Sequence, residues 1–223
     1  MRSLASTGID LLEFGLDDRA RQAMKTFDSI MSWYGSARAA FRDALSGLPV
    51  EFFPALPDGS CHAVEFYMRQ VGGSDASIPH FDIGSVPRRN FIAIHPFSGS
   101  PRKNWSLPKF RELQRALPLP AEFSAGPEEE LEGAVRFDTI LELAAWLASA
   151  RLYIGNDSGV SHLAAAVGTP SIVIFRSTDP KVWCPRSRSP VLPVTCGDED
   201  GPEVSVVARH AERLVEFDDN GRP

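Results

Sequence analysis

From about residue 90 onward, short apolar runs alternate with stretches of helical period. The runs 91-FIAIH-95 and 170-PSIVIF-175 are apolar at almost every position, which is typical of strands buried on both faces of a parallel sheet. The helical stretch before the second run ends at Gly168, a residue that commonly closes a helix. This alternation predicts an α/β fold with a parallel sheet covered by helices on both faces.

The second part of the chain therefore predicts a complete Rossmann-like domain over residues 91–217. Its predicted elements are strand 91–95, helix 108–117, short strand 121–126, helix 139–150, strand 151–155, helix 158–168, strand 170–175, strand 190–195 and helix 203–217. Asp138 is predicted to be the N-cap of the second of these helices, because a short polar side chain there accepts hydrogen bonds from free backbone N–H groups.

The first 72 residues have a different organisation, with only about two βα units. They predict a polar helix near 17–26, strand 27–34, helix 36–47, strand 50–56 and helix 62–72. Two strands are too few for an independent α/β sheet, so residues 1–72 are interpreted as an incomplete α/β domain. Residues 73–90 are rich in Gly, Ser, Pro and charge without periodicity, which predicts a linker.

Composition narrows the class of protein. The net charge of −6 provides no basic surface for nucleic acid. Cys61, Cys184 and Cys196 lie far apart without a CxxC pair, so neither a disulfide framework nor a metal site is expected. No apolar run approaches the roughly 20 residues of a bilayer span, and the N-terminus does not resemble a signal peptide. These features predict a soluble cytoplasmic protein.

Polar residues follow several predicted strands, at the sheet edge where open α/β folds bind ligands. The loop after the first strand of the second part offers the hydroxyls of Ser98 and Ser100 and the charge of Lys103. It matches neither the Walker A nor the GxGxxG pattern. Two other strand ends are followed by Glu128 and Thr178. The carboxylate of Glu128 suits a ribose diol. A glutamate run is also commonly a solvated helix start, and Thr-Asp-Pro is an ordinary turn.

The stretch 156-NDSG-159 marks a change from strand to helix, where free N–H groups and the helix dipole favour an anion. Ser158 and His162 are four residues apart and can face the same ligand. An ordinary N-cap at Asp157 or Ser158 is the competing interpretation. A Ser-His-Asp hydrolase fits badly, since no GxSxG turn is present and a triad rarely lies within one helical turn. Taken together, these strand ends suit a nucleoside diphosphate.

The stretches HPFSGSPRKNW and IGNDSGVSHLAAAVGTPSIVIF, followed by TDP, resemble the C-terminal domain of glycosyltransferase family nine, the lipopolysaccharide heptosyltransferases. The resemblance implies a GT-B architecture of two Rossmann-like domains, in which the second domain binds a nucleotide sugar, commonly ADP-heptose, without a metal or other cofactor. The donor-binding residues that it implies are Ser98, Ser100, Lys103, Glu128, Asp157, Ser158, Gly159, His162 and Thr178.

Two departures from the family pattern stand out. Many relatives have F-G-P-T-D-P where this chain has 175-FRSTDP-180, so Arg176 adds a charge on the donor side or alters the pocket. Residues 1–72 resemble the second half of the family's first domain, without its opening strands. The acidic residue that deprotonates the acceptor in relatives has no counterpart by position. Asp10, Glu13, Asp17 and Asp18 lie upstream of the remaining βα units, but nothing in the sequence fixes any of them in the cleft. The catalytic base is therefore unassigned.

The leading hypothesis is a glycosyltransferase that moves a heptose-like sugar from a nucleotide-diphosphate donor to a saccharide or lipid-linked acceptor of the cell envelope. The protein is expected in the cytoplasm or in peripheral contact with the inner face of the membrane. The alternative is a catalytically impaired nucleotide-sugar-binding protein. In that case a partner chain or a second copy completes the N-terminal sheet, whose edge strands need covering. A third expectation is that the missing strands are encoded upstream of Met1.

Overall fold

The computed structural model describes residues 17–74, 76–195 and 200–221. The strands are β1 (Ile30–Ser32), β2 (Val50–Phe52), β3 (Ile92–His95), β4 (Ala121–Phe123), β5 (Leu152–Asn156), β6 (Ser171–Phe175) and β7 (Val191–Thr195). The helices are α1 (Asp18–Met24), α2 (Ala39–Ala44), α3 (Ala63–Gln70), α4 (Leu107–Ala116), α5 (Ile140–Ser149), α6 (Gly159–Ala166), α7 (Pro180–Trp183) and α8 (Val204–Gly221). Every predicted strand and helix is present, and the short α7 is an addition.

The N-terminal unit, from α1 to α3, contains a parallel sheet of two strands, β1 and β2. Its small core consists of Met24, Phe41 and Leu45. Helix α3 joins this unit through aromatic contacts, with the rings of Trp33 and Tyr67 centred 6.0 Å apart. None of the described residues between α3 and β3 lies in a helix or strand, in agreement with the irregular segment predicted there.

The C-terminal unit, from β3 to α8, is built on a five-stranded parallel sheet in the order β4-β3-β5-β6-β7. Because successive side chains of a strand point to opposite faces, β3 and β5 contribute to two cores. Ile92 and Ile94 pack on the face covered by α4 and α8. Ala93 lies on the opposite face, with Trp146 of α5 and Ala164 of α6. The doubly wound α/β arrangement predicted from the apolar runs is therefore present.

The start of α5 corrects one prediction. Thr139, not Asp138, is the N-cap, and its side chain accepts a hydrogen bond from the Glu142 N–H. The Glu142 carboxylate in turn accepts from the backbone N–H groups of Thr139 and Asp138. This reciprocal capping box satisfies more backbone donors than a lone Asp138 side chain would, which explains the shift by one residue.

Strand order locates the ligand-binding edge. The chain passes from β3 to β4 on one side of the sheet and then crosses to β5 on the other side. Ligands of open α/β sheets bind at such a reversal, outside the carboxyl ends of the strands. The loops that follow β3 and β5 flank this reversal, and they are the loops that contain Lys103 and Asp157.

The two units contact each other through α3. His62 is the N-cap of α3, where its Nδ1 accepts from the Val64 N–H, and its Nε2 therefore donates to the Cys184 carbonyl at 2.8 Å. Glu65 forms an ion pair with Arg186 nearby. These contacts connect α3 to the segment after α7, next to the carboxyl end of β6.

Candidate functional site

Lys103, Asp157 and Thr178 meet at the carboxyl ends of β3, β5 and β6. The Lys103 ammonium lies 2.8 Å from Oδ2 of Asp157, and the Thr178 hydroxyl donates to the same oxygen at 2.7 Å. The Asp157 side chain is 5% exposed, whereas that of Lys103 is 31% exposed. The Asp157 carboxylate is thus buried, with its charge neutralised by Lys103, and the Lys103 ammonium remains accessible to a ligand from solvent.

Asn156 is a site residue that the sequence reasoning missed. It is completely buried, its Oδ1 accepts from the Trp105 N–H at 2.9 Å, and its Nδ2 donates to the Pro96 carbonyl at 2.8 Å. One side chain at the end of β5 therefore holds both ends of the loop that contains Lys103. Its position directly before Asp157 was the available signal, but only the fold shows its partners.

Ser98 and Ser100 shape this loop. The Ser98 hydroxyl donates to Oδ1 of Asn104 at 2.6 Å and lies 2.9 Å from the Ser100 carbonyl, while the Ser100 N–H donates weakly to Ser98 Oγ. The loop closes with a single turn of 3-10 helix, Pro101–Lys103. In this structure the Ser98 hydroxyl stabilises the loop itself, and its role as a ligand contact stays a prediction.

The start of α6 is capped by Ser158 rather than by Asp157. The Ser158 side chain accepts from the Ser161 N–H, and the Ser161 hydroxyl lies 3.1 Å from that of buried Tyr153. Gly159 has open space where a side chain would be. Asp157 is therefore free of the capping function, and the N–H groups at the start of α6 lie beside an open approach for an anion.

His162 lies one turn into α6 and is exposed at the surface. The pKa of His162 is lowered, mainly because the surrounding protein removes water from the ring. The charges of His62 and Lys103 also lower this pKa, and the charge of Asp157 raises it. His62 of the N-terminal unit thus lies close enough to the site to affect its electrostatics.

A cavity of about 400 Å³ opens beside this cluster, between the end of β3, the loop after β4 and the start of α5. It is lined by His95, Ser124, Glu129, Phe137 and Val160, among others. Its walls combine apolar and aromatic side chains with a few polar groups, as small-molecule sites commonly do.

Glu129 lines this cavity, whereas Glu128, the residue predicted to bind a ribose, does not. Glu128 is exposed, whereas the Glu129 carboxylate accepts from the Gly126 N–H and lies 3.8 Å from the Nε2 atom of His95. Three consecutive glutamates in the sequence do not show which one faces inward. The turn after β4 decides this and directs the Glu129 carboxylate to the cavity, while the role of Glu128 in ribose binding stays a prediction.

His95, which ends β3, was also missed. Its ring is buried and contacts the carbonyl and hydroxyl of Ser124 at 3.2 Å. Burial lowers the pKa of His95, although the Glu129 carboxylate and the hydrogen bond to the Ser124 backbone act in the opposite direction. Its place at the end of an apolar strand was the sequence signal, because strand ends point into the ligand crevice.

The lowered pKa of His95 predicts a pH dependence of stability. The folded state binds this proton less readily than the unfolded chain, whose histidines titrate near 6.5, so the free energy of unfolding falls as pH decreases from about 7 to 5.5. Urea unfolding across this range should show a slope of up to about 1.4 kcal/mol per pH unit from one such group. A His95→Gln variant with the same slope as the unmodified protein would contradict the assignment.

The described part of the chain offers neither a metal cluster nor a membrane-spanning helix. No three His, Cys, Asp or Glu side chains among the described residues are grouped to hold a metal ion. None of the helices in the described ranges is long and apolar enough to cross a membrane.

Known structures share this fold. That of the Escherichia coli heptosyltransferase WaaC with ADP covers 87% of this chain and 75% of its own length, with a TM-score of 0.63 and 17% identity. The Escherichia coli ADP-heptose lipopolysaccharide heptosyltransferase II matches 87% of this chain and 72% of its own, with a TM-score of 0.63 and 15% identity. The chain therefore has the α/β fold of GT-B heptosyltransferases, as predicted.

Sequence comparison finds similarity to one family over part of the chain. Residues 125–206 match the model of glycosyltransferase family 9 (heptosyltransferase). Lipopolysaccharide heptosyltransferase 3 of Escherichia coli is 31% identical over 123 residues, which cover 45% of this chain and 35% of that protein. The aligned part thus spans about a third of this curated relative. This part of the chain is thus similar to the family 9 heptosyltransferases, in agreement with the resemblance of its loops.

Proposed function

We propose that this chain binds a nucleotide-diphosphate sugar of the ADP-heptose type and transfers the sugar to a saccharide acceptor of the cell envelope. The observation that carries the proposal is the position of Lys103 and the start of α6 at the strand-order reversal, where Val160 of α6 also lines the cavity that contains Glu129. A cation and free N–H groups suit a diphosphate, and a carboxylate beside an apolar cavity suits a nucleoside.

The donor chemistry is consistent with what the relatives bind. Solved structures of WaaC contain ADP and ADP-2-deoxy-2-fluoro heptose. In this chain the diphosphate would lie between Lys103 and the N–H groups near Ser158, with the nucleoside in the cavity. His162, one turn further along α6, would face the sugar. Thr178 would act through Asp157, whose carboxylate it contacts.

The reaction would proceed by direct displacement at the anomeric carbon. The bond from this carbon to the diphosphate oxygen breaks, the acceptor oxygen forms the new bond, and the configuration inverts. Lys103 and the N-terminal dipole of α6 would stabilise the departing diphosphate, which gains negative charge in the transition state. The acceptor proton passes to a base that is not assigned. Asp17 caps α1 through its side chain, and Asp10 and Glu13 lie outside the described residues.

Two measurements test the proposal. Calorimetric titration with ADP, UDP and GDP should show binding of one nucleoside diphosphate, and ADP is expected. Incubation with ADP-heptose and a heptose-deficient lipopolysaccharide acceptor should then release ADP at a rate that depends on the acceptor. Binding without transfer would support the alternative, a nucleotide-sugar-binding protein. Absence of binding to all three diphosphates would contradict both functions.

The cavity predicts which glutamate contributes to nucleoside binding. Glu129→Gln should lower the affinity for both ADP and adenosine by about tenfold, because a hydrogen bond to a charged acceptor is weakened. Glu128→Gln is the matched control one residue away and should leave both affinities unchanged, since Glu128 is exposed and does not line the cavity. The reverse pattern in calorimetric titrations would assign the ribose contact to Glu128.

A further inference from the structure

We propose that Arg176 is a positioning residue that holds Lys103 in the geometry required for diphosphate binding. The inference rests on the donor site proposed above and adds to it a residue that need not touch the ligand. Arg176 is the first residue after β6, and it is half-buried behind the loop that contains Lys103.

The contact that carries the inference joins Arg176 to Asn104. The guanidinium Nη1 of Arg176 donates to the Asn104 carbonyl at 2.6 Å. A short hydrogen bond from a charged donor is stronger than one between neutral groups. Asn104 directly follows Lys103 and ends the 3-10 turn, so Arg176 acts on the peptide adjacent to the binding cation.

Each residue of the tripeptide 103–105 is held by a residue at the end of β5 or β6. Lys103 pairs with Asp157 after β5, Asn104 accepts from Arg176 after β6, and the Trp105 N–H donates to Asn156 at the end of β5. Trp105 also donates through its indole N–H to the Pro202 carbonyl. Loss of Arg176 therefore removes the contact to the Asn104 carbonyl, and with it a restraint on the peptide that joins the central residue to Trp105.

The loop before α8 supports Arg176 from behind. A Cβ atom added at Gly201 would lie 3.5 Å from Cδ of Arg176 and 2.9 Å from Cδ1 of Trp105. The aliphatic part of the Arg176 side chain is thus packed against the backbone of this loop, next to the buried indole ring. This packing restricts the guanidinium to the direction of the Asn104 carbonyl.

The first test measures ADP affinity by calorimetry. Arg176→Ala should weaken binding about tenfold, whereas Arg176→Lys, which keeps a charged donor, should recover part of the loss. Arg209→Ala, at an exposed position of α8, is the matched control and should bind ADP as the unmodified protein does. Unchanged affinity in folded Arg176→Ala would overturn the proposal.

A double-mutant cycle distinguishes positioning from direct contact with the ligand. If Arg176 acts through Lys103, then Arg176→Ala has no further effect on ADP affinity in a Lys103→Ala background. If Arg176 contacts the diphosphate itself, the two losses add, and the positioning role is overturned.

A measurement without ligand separates this inference from the donor-site proposal. Hydrogen exchange of the Lys103, Asn104 and Trp105 amides, all hydrogen-bonded in the structure, should accelerate in Arg176→Ala and return toward normal in Arg176→Lys. If the unmodified protein binds no ADP but these amides respond as expected, the donor-site proposal fails and the positioning contact stands. Unchanged exchange would overturn the contact itself.

Discussion

Lys103→Ala is expected to lower the affinity for ADP by about 10- to 100-fold. Lys103 is the cation of the cluster that remains open to solvent, and its loss removes a charge-assisted contact worth about 1.5–3 kcal/mol. Calorimetric titration measures the effect. Lys25→Ala, which removes an exposed lysine of the N-terminal unit, is the control and should change nothing.

The same substitution also affects stability, because it leaves the Asp157 carboxylate buried without its cation. We expect a loss of about 1–3 kcal/mol in the free energy of unfolding, less than for a fully buried pair because Lys103 is partly exposed. Adding Asp157→Asn removes the uncompensated charge, so stability should recover while ADP binding stays weak. Unchanged ADP affinity in folded Lys103→Ala would contradict the donor site.

Asn156→Asp is expected to destabilise the protein by about 2–4 kcal/mol at neutral pH and to abolish ADP binding. The substitution keeps the shape of the side chain but replaces the donor that faces the Pro96 carbonyl with a carboxylate oxygen. Two acceptors then face each other in a completely buried position. The loop that contains Lys103 would separate from β5, and the binding geometry would be lost with it. Urea unfolding and calorimetry measure the two effects.

The pH dependence of this variant provides a sharper test. Burial against a carbonyl raises the pKa of the introduced carboxyl group in the folded state, since only the protonated form can donate to Pro96. The deficit in stability should therefore shrink as pH falls through this raised pKa. Asn90→Asp, at an exposed position, is the isosteric control and should show little loss. A deficit that does not depend on pH would argue against the Asn156–Pro96 contact.

Much of the fold followed from local patterns. The fully apolar runs predicted the buried strands, and Gly168 ended α6 as expected, with a positive φ of 84°. Two chemically distinct loops were also predicted at one edge of the sheet, and the structure brings Lys103 and Asp157 to 2.8 Å. These predictions succeeded because parallel strands place all their carboxyl ends at the same edge, whatever their order.

Other features were wrong or missed for a common reason. The N-cap of α5 was placed at Asp138, which is a good cap when each residue is considered alone. The structure places it at Thr139, because Thr139 and Glu142 together form a capping box. A run of three glutamates contains no directional signal, so the sequence did not show that Glu129 lines the cavity, and the ribose contact of Glu128 stays a prediction. Asn156 was passed over because both of its partners lie at least 51 residues away in the chain.

The sequence alone determined the element types, the parallel sheet, the family resemblance and the set of loops at the ligand-binding edge. These properties depend on side-chain period, capping chemistry and turn residues, all of which act within a few positions of the chain. Tertiary structure alone decided the strand order, the reversal between β3 and β5, the inward direction of Glu129 and the contact of Arg176 with Asn104. The reason is physical: strand order and buried hydrogen bonds are set by packing between segments far apart in the chain, and no local pattern specifies which distant groups will meet.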